Sequence, residues 1–219
     1  MRKMRKLLSS RLFAYLLIVT GVCVGLFAIG LFVHQNRVEP KPPRGALQSP
    51  SAPSAKKLTP AAVNTYSVPP DNPKYIAIPA INIPNTPVLL LGLLKNGQIA
   101  TPNNVFETGW YDGSSRPGEP GAMFIYGHVS SWAADGIFYN LKKLVPGDTV
   151  TITRGDNEKF VYRVVTSKVY PYNNVNMNQV LSPINADQPG LNLMTCTGQV
   201  IQGTSEFNKR LVIFTTLVS

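Results

Sequence analysis

Cys196 closes the stretch Leu193-Met194-Thr195-Cys196 and is the only cysteine outside an apolar N-terminal segment. A thiolate is a strong nucleophile, so an unpaired thiol raises the question of whether that reactivity is used. A buried, inert packing thiol is the other reading. Two more residues bear on the choice. His128 ends the apolar run of residues 122–127 and is the only histidine outside the N-terminal part, and Arg210 stands at the mouth of the run 211–214. Nucleophile, proton carrier and fixed cation are the minimum set for cysteine acyl transfer, the cation steadying the oxyanion or the substrate.

These residues need elements that bring them together. From residue 74 onward, short apolar runs rich in β-branched residues alternate with Pro, Gly and Asn, the punctuation of strands. Strands are expected at 75–78, 82–83 feeding 88–91, 122–128, 148–153, 159–170, 191–196 and 209–218, with a hairpin turn at Gly155-Asp156-Asn157-Glu158. Short helices are expected only at 136–144 and 177–181. Many short strands without alternating long helices indicate an all-β antiparallel barrel or sandwich. His128 and Cys196 lie 68 positions apart, and Arg210 lies 14 beyond Cys196. If strands 191–196 and 209–218 pair antiparallel across a loop at 197–208, thiol and guanidinium lie side by side. Trp110 and Tyr111 are expected to pack in the core or at a strand edge, whereas Trp132, just past His128, is a candidate border of a substrate groove.

The charge belongs to the front of the chain. Of the net +10, residues 1–74 hold eleven Lys/Arg against Glu39 and Asp71, or +9, leaving +1 for the rest. A nearly neutral domain offers no basic groove, which argues against nucleic acid as a partner and for a membrane. Arg2, Lys3, Arg5, Lys6 and Arg11 precede residues 12–33, 22 residues without a charge. At about 1.5 Å per residue such a helix spans a bilayer. Positive flanks face the cytoplasm, so the N-terminus is expected inside the cell and everything after Val33 outside. A cleaved signal peptide with Ala28-Ile29-Gly30 as its site is the competing reading, although the apolar run outlasts an ordinary signal core and continues past that site. Gly21-Val22-Cys23-Val24-Gly25 has the form of a helix-dimerisation face, or is simply membrane glycine. Residues 34–73 hold nine prolines among Ser, Ala and Lys, a semi-extended extracellular tether. The domain is expected over 74–219.

Several short motifs carry a family resemblance. Gly109-Trp110-Tyr111, Pro117-Gly118-Glu119-Pro120-Gly121, Gly127-His128, Pro146-Gly147-Asp148, Leu193-Met194-Thr195-Cys196 and Arg210-Leu211-Val212-Ile213 resemble, in order, the motifs of sortases, and most nearly the class E and F type of Gram-positive bacteria. Asn192 departs from the Thr that usually opens the cysteine motif. The resemblance implies an eight-stranded sortase-type β-barrel with short helices, preceded by one transmembrane helix. It further implies a membrane-anchored cysteine transpeptidase that cleaves an Leu-Pro-x-Thr-Gly-like sorting signal through a Cys196 thioester. The acyl group then passes to an amine of peptidoglycan or a pilin. In that scheme His128 is general acid and base, Arg210 steadies substrate or oxyanion, and Thr195 assists. Sorting-signal-bearing surface proteins and membrane lipid are the implied partners. No cofactor or metal is expected, since the loop 171–190 offers calcium only Asp187, too few carboxylates for its oxygen shell.

Other classes share these features. Another extracytoplasmic cysteine peptidase or a peptidoglycan L,D-transpeptidase is also β-rich, although the latter's Ser-His-Gly-Cys cluster is absent. A non-catalytic surface adhesin explains anchor, tether and β-domain, with Cys196 as a packed thiol.

Overall fold

The computed structural model describes residues 54, 56, 57 and 59–219. The basic segment 1–11, the apolar run 12–33 with its glycines and Cys23, and most of the tether lie outside the described residues.

Eight strands close into a barrel: β1 (Pro73–Ile78), β2 (Ile83–Leu91), β3 (Thr108–Tyr111), β4 (Ala122–Gly127), β5 (Thr149–Arg154), β6 (Lys159–Pro171), β7 (Gly190–Val200) and β8 (Phe207–Leu217). Their order is β1-β2-β3-β4-β7-β8-β6-β5, with β5 returning to β1. Closure leaves no unpaired edge. Six junctions are antiparallel, as the short-strand pattern suggests, but β2–β3 and β4–β7 are parallel. The second parallel junction brings the His-bearing strand against the Cys-bearing one, with β5 and β6 in the crossover between them.

The alternation of side chains along each strand builds the core. Met123 and Ile125 of β4, Leu191 and Leu193 of β7, and Leu211 and Ile213 of β8 point inward with Ile76, Ile78, Val150 and Ile152. The intervening residues of the same three strands face out. There Phe124, Tyr126, Val212 and Phe214 form a second cluster with Tyr111 and Val180.

Strand β3 is missing from the strand pattern in the sequence. All four of its residues are buried, so Trp110 and Tyr111 do pack, but as part of a ladder. Gly109 leaves room for the Leu91 side chain, into which an added Cβ would run. Residues 82–91 form nearly one strand rather than two pieces, and the expected loop 197–208 is shortened, because β7 runs on to Val200 and β8 starts at Phe207.

The helix expected at 136–144 is instead a series of turns ending in a 3-10 turn, Leu141–Lys143. Phe138, Leu141 and Leu144 are buried, and spacing of three suits 3.0 residues per turn, whereas an α-helix would carry the last of them off the core face. The other expected helix forms as α2 (Met177–Val180), with the Asn176 side chain accepting from the Gln179 amide at 3.1 Å. Asn192 of β7 holds it down: its buried Nδ2 donates to the carbonyls of Val180 at 2.7 Å and Ser182 at 2.9 Å. The hairpin turn at 155–158 forms as the sequence indicates, with Asn157 at φ 72° and the Arg154 amide bonded to the Glu158 carbonyl at 2.8 Å.

Residues 59–72, tether by composition, are joined to the barrel. A short helix, α1 (Pro60–Asn64), is capped by Thr59. Tyr66 Oη donates to the Val88 carbonyl at 2.7 Å, Tyr75 Oη donates to Val63 O at 2.5 Å, and the Asp71 carboxylate pairs with Arg116 at 2.8 Å. Farther up, the Ser54 amide donates to Asn103 O at 2.6 Å and its carbonyl accepts from Val105 N at 2.8 Å. Two tyrosines and a ladder of main-chain bonds outweigh the loosening effect of the prolines here.

Candidate active site

Strand parity decides which side chains meet. On β4 the outward positions are Phe124 and Tyr126, and His128 follows in the same sense just past the strand end. On β7 they are Asn192, Met194 and Cys196, and on β8 Arg210, Val212 and Phe214. Cys196 stands directly opposite Arg210 in the β7–β8 register, as the antiparallel pairing expected from sequence requires. Cross-strand partners have Cβ atoms about 5 Å apart. Tyr126 is paired with Met194 across the parallel β4–β7 junction. Two residues beyond that pair, on the outer side of the same rim, come His128 on one strand and Cys196 on the other.

Each of the three is held by named contacts. Cys196 Sγ lies 3.0 Å from Tyr126 Oη. His128 Nε2 is 2.7 Å from the carbonyl of Pro102; a carbonyl only accepts, so this nitrogen carries the proton and the neutral ring leaves Nδ1 bare. The imidazole also stands edge-on to the Tyr126 ring, centroids 6.1 Å apart at 80°. Arg210 spends Nη1 on the carbonyls of Phe207 (2.8 Å) and Lys209 (3.1 Å) and Nη2 on the Glu206 carboxylate at 2.9 Å. Its guanidinium lies 5.9 Å from the Tyr172 ring centre.

Burial sets the protonation states. It pushes the Cys196 thiol up, a rise that Arg210 and the Tyr126 hydroxyl oppose and Glu206 reinforces. It pushes His128 down, against the pull of the Pro102 carbonyl. At neutral pH both groups therefore rest uncharged. Beside Cys196 opens a shallow cleft of about 160 Å³, bordered by Thr197, Ser130, Tyr139, Lys142 and Phe207.

Thr195 and Trp132 behave differently from the other three. Thr195 is one residue out of phase with Cys196, so its side chain is buried and Oγ1 donates to the Gly127 carbonyl at 2.7 Å. That bond ties the residue before His128 to the residue before Cys196. Trp132 is 88 % exposed, at the tip of a loop closed by the Gly136 amide on Val129 O (2.8 Å) and the Phe138 amide on His128 O (3.0 Å). Tyr126, Pro102 and Glu206 escaped the sequence reading. The period-two count from His128 would have brought Tyr126 onto the same face, whereas nothing in the sequence marks Pro102 or Glu206.

A family model described as "Sortase domain" matches residues 76–218. Among solved structures, the chain is similar to a sortase D5 transpeptidase of Clostridium perfringens, at 24% identity over 68% of this chain and 80% of that one, with a TM-score of 0.50. It is similar to sortase A of Corynebacterium diphtheriae at 22% identity, 76% and 72% coverage and a TM-score of 0.52. It is likewise similar to sortase C of Streptococcus pneumoniae at 22% identity, 79% and 81% coverage and a TM-score of 0.51. Identities this low speak for a shared fold. No curated protein sequence matches the chain. The family match runs from inside β1 to the end of β8 and so takes in nearly the whole barrel with its rim residues, and on that ground the chain belongs to the sortase family.

Proposed function

We propose that this sortase is a cysteine transpeptidase in which Cys196, His128 and Arg210 carry the chemistry. The observation that supports this best is the direct opposition of Cys196 and Arg210 in the β7–β8 register, on the same outward face as His128. The Cys196 thiolate attacks the carbonyl carbon of a sorting-signal peptide bond, of the Leu-Pro-x-Thr-Gly kind. As the C–S bond forms, the carbonyl electron pair moves to oxygen, and Arg210 steadies that charge. Arg210 has Nε and one Nη2 proton beyond its bonds to Glu206, Phe207 and Lys209. When the C–N bond breaks, protonated His128 gives its proton to the departing amine, leaving a thioester. An incoming amine of peptidoglycan or a pilin then loses a proton to His128, attacks the thioester and expels the thiolate. Thr195 keeps the two strand ends in register, and Trp132 offers an exposed aromatic face to the peptide.

The same reading makes the chain a single-pass protein of the cell membrane, with N-terminus in the cytoplasm, residues 12–33 in the bilayer and the barrel outside. The five positive residues ahead of the 22-residue uncharged run support it. Protease added to intact cells should release the barrel, whereas full protection would overturn the orientation. The reaction is tested by incubating the full chain in detergent with a library of Leu-Pro-x-Thr-x peptides and triglycine, followed by mass spectrometry. Cleaved peptides carrying triglycine, lost in Cys196→Ala, are the expected products; hydrolysis without transfer, or no cleavage, would count against a transpeptidase.

A further inference from the structure

Among the described residues, the hydrogen-bond partner of the Cys196 sulfur is neither the histidine nor the arginine. Tyr126 Oη lies 3.0 Å from Cys196 Sγ, and the tyrosine is only 7 % exposed, walled in by Phe124, Val212 and Phe214. The other polar groups around the sulfur are partly spoken for. Arg210, opposite on β8, is paired with Glu206 and two main-chain carbonyls. His128, at the end of β4, directs Nε2 to Pro102 and meets Tyr126 ring to ring.

We propose, building on the transpeptidase reading, that Tyr126 is a catalytic residue whose hydroxyl donates a hydrogen bond to the Cys196 thiolate and so sets how readily that nucleophile forms. With a neutral thiol either atom can be the donor, but a thiolate only accepts, so the bond becomes one-directional and charge-assisted when sulfur ionises. A bond stronger to the charged form favours that form. The phenol is well suited because burial and the neighbouring sulfur hold its own ionisation well above the usual tyrosine range, so it keeps its proton while the thiol loses one. It also adds no net charge beside the sulfur, leaving Arg210 for the substrate carbonyl. The same donor receives the thiolate again when the acceptor amine expels it from the thioester.

The test reads the thiol without any peptide substrate. Full-length protein carrying Cys23→Ala, so that Cys196 is the only thiol, is alkylated with iodoacetamide across pH 5–10 with and without Tyr126→Phe. The midpoint of the rate–pH curve should move up in the variant, and the rate at pH 7 should fall about fivefold, as for a charge-assisted hydrogen bond lost but partly offset by the greater nucleophilicity of a more basic thiolate. Melting temperature and KM for a cleaved peptide should change little, with the loss in kcat. An unchanged midpoint, or one that moves down, overturns the role. Should Tyr126→Phe fold poorly, 3-fluorotyrosine at position 126 serves instead: a more acidic phenol is a stronger donor and should move the midpoint down, and no movement overturns the role. Failure of peptide cleavage with a normal midpoint shift would sink the transpeptidase reading and leave the Tyr126 contact standing.

Discussion

A thiol raised by burial and an imidazole lowered by burial meet at one rim, yet transfer needs a thiolate near an imidazolium. One proton shared between them is the reactive state, and it is populated between the two macroscopic pKa values of the pair. Below that window both groups are protonated, and above it neither is. The plot of kcat/KM against pH is therefore expected to be bell-shaped; a rate that rises without limit through the alkaline range would contradict the scheme. Glu206 enters the same balance. Its carboxylate faces Arg210 at 2.9 Å and helps push the thiol up. Replacing it with Gln should move the midpoint of Cys196 alkylation down and speed labelling at neutral pH by about two- to threefold, the size being limited by the exposure of the carboxylate and by salt. Slower labelling in Glu206→Gln would show that Arg210 depends on that pair for its position.

Among the elements, β4, β7 and β8 do the positioning, and they were the most legible in the sequence. Their apolar runs mark the strands in the sequence, and the 14 positions from Cys196 to Arg210 mark the hairpin between two of them. The side-chain period of two along a strand shows why Thr195, next to Cys196, belongs to the inner face. Its hydroxyl bonds the Gly127 carbonyl inside the barrel and braces the two strand ends that carry His128 and Cys196. Thr195→Val keeps the shape and drops that bond. A loss of about 1 kcal/mol in urea unfolding is expected, with a fall in kcat; full stability with full activity would deny the brace. Less legible were β3, only four residues long with Gly109 among them, and the turns at 136–144, whose buried residues recur every three. Those two elements take their form from tertiary neighbours, Leu91 against Gly109 and the barrel end over Phe138. The parallel β4–β7 junction was likewise invisible, because a crossover through β5 and β6 leaves no local mark.

At the scale of the whole molecule, composition separates the chain into a positively charged front and a nearly neutral barrel, and the seam between them is tighter than its prolines suggest. Tyr66, Tyr75 and Asp71 attach residues 59–72 to the barrel, and the carbonyls of Asn72 and Pro70 accept from Gly155 and Asp156 at the β5–β6 turn. A chain starting at residue 74 gives these bonds up. It should unfold at lower urea than one starting at residue 51, by about 2 kcal/mol or more; equal midpoints would mean that the seam contributes nothing. Upstream, Ser54 is bonded to Asn103 and Val105, next to the Pro102 carbonyl that holds His128, so the approach to the barrel and the proton carrier share a loop. Transfer depends in the end on sulfur taking the acyl group. The most direct measurement is intact-mass spectrometry of the full chain, quenched in acid moments after mixing with a cleaved Leu-Pro-x-Thr-x peptide. An adduct with the mass of the N-terminal fragment, mapped to Cys196 and discharged by triglycine, is the expected result. Turnover without any adduct at Cys196, or undiminished in Cys196→Ala, would contradict it.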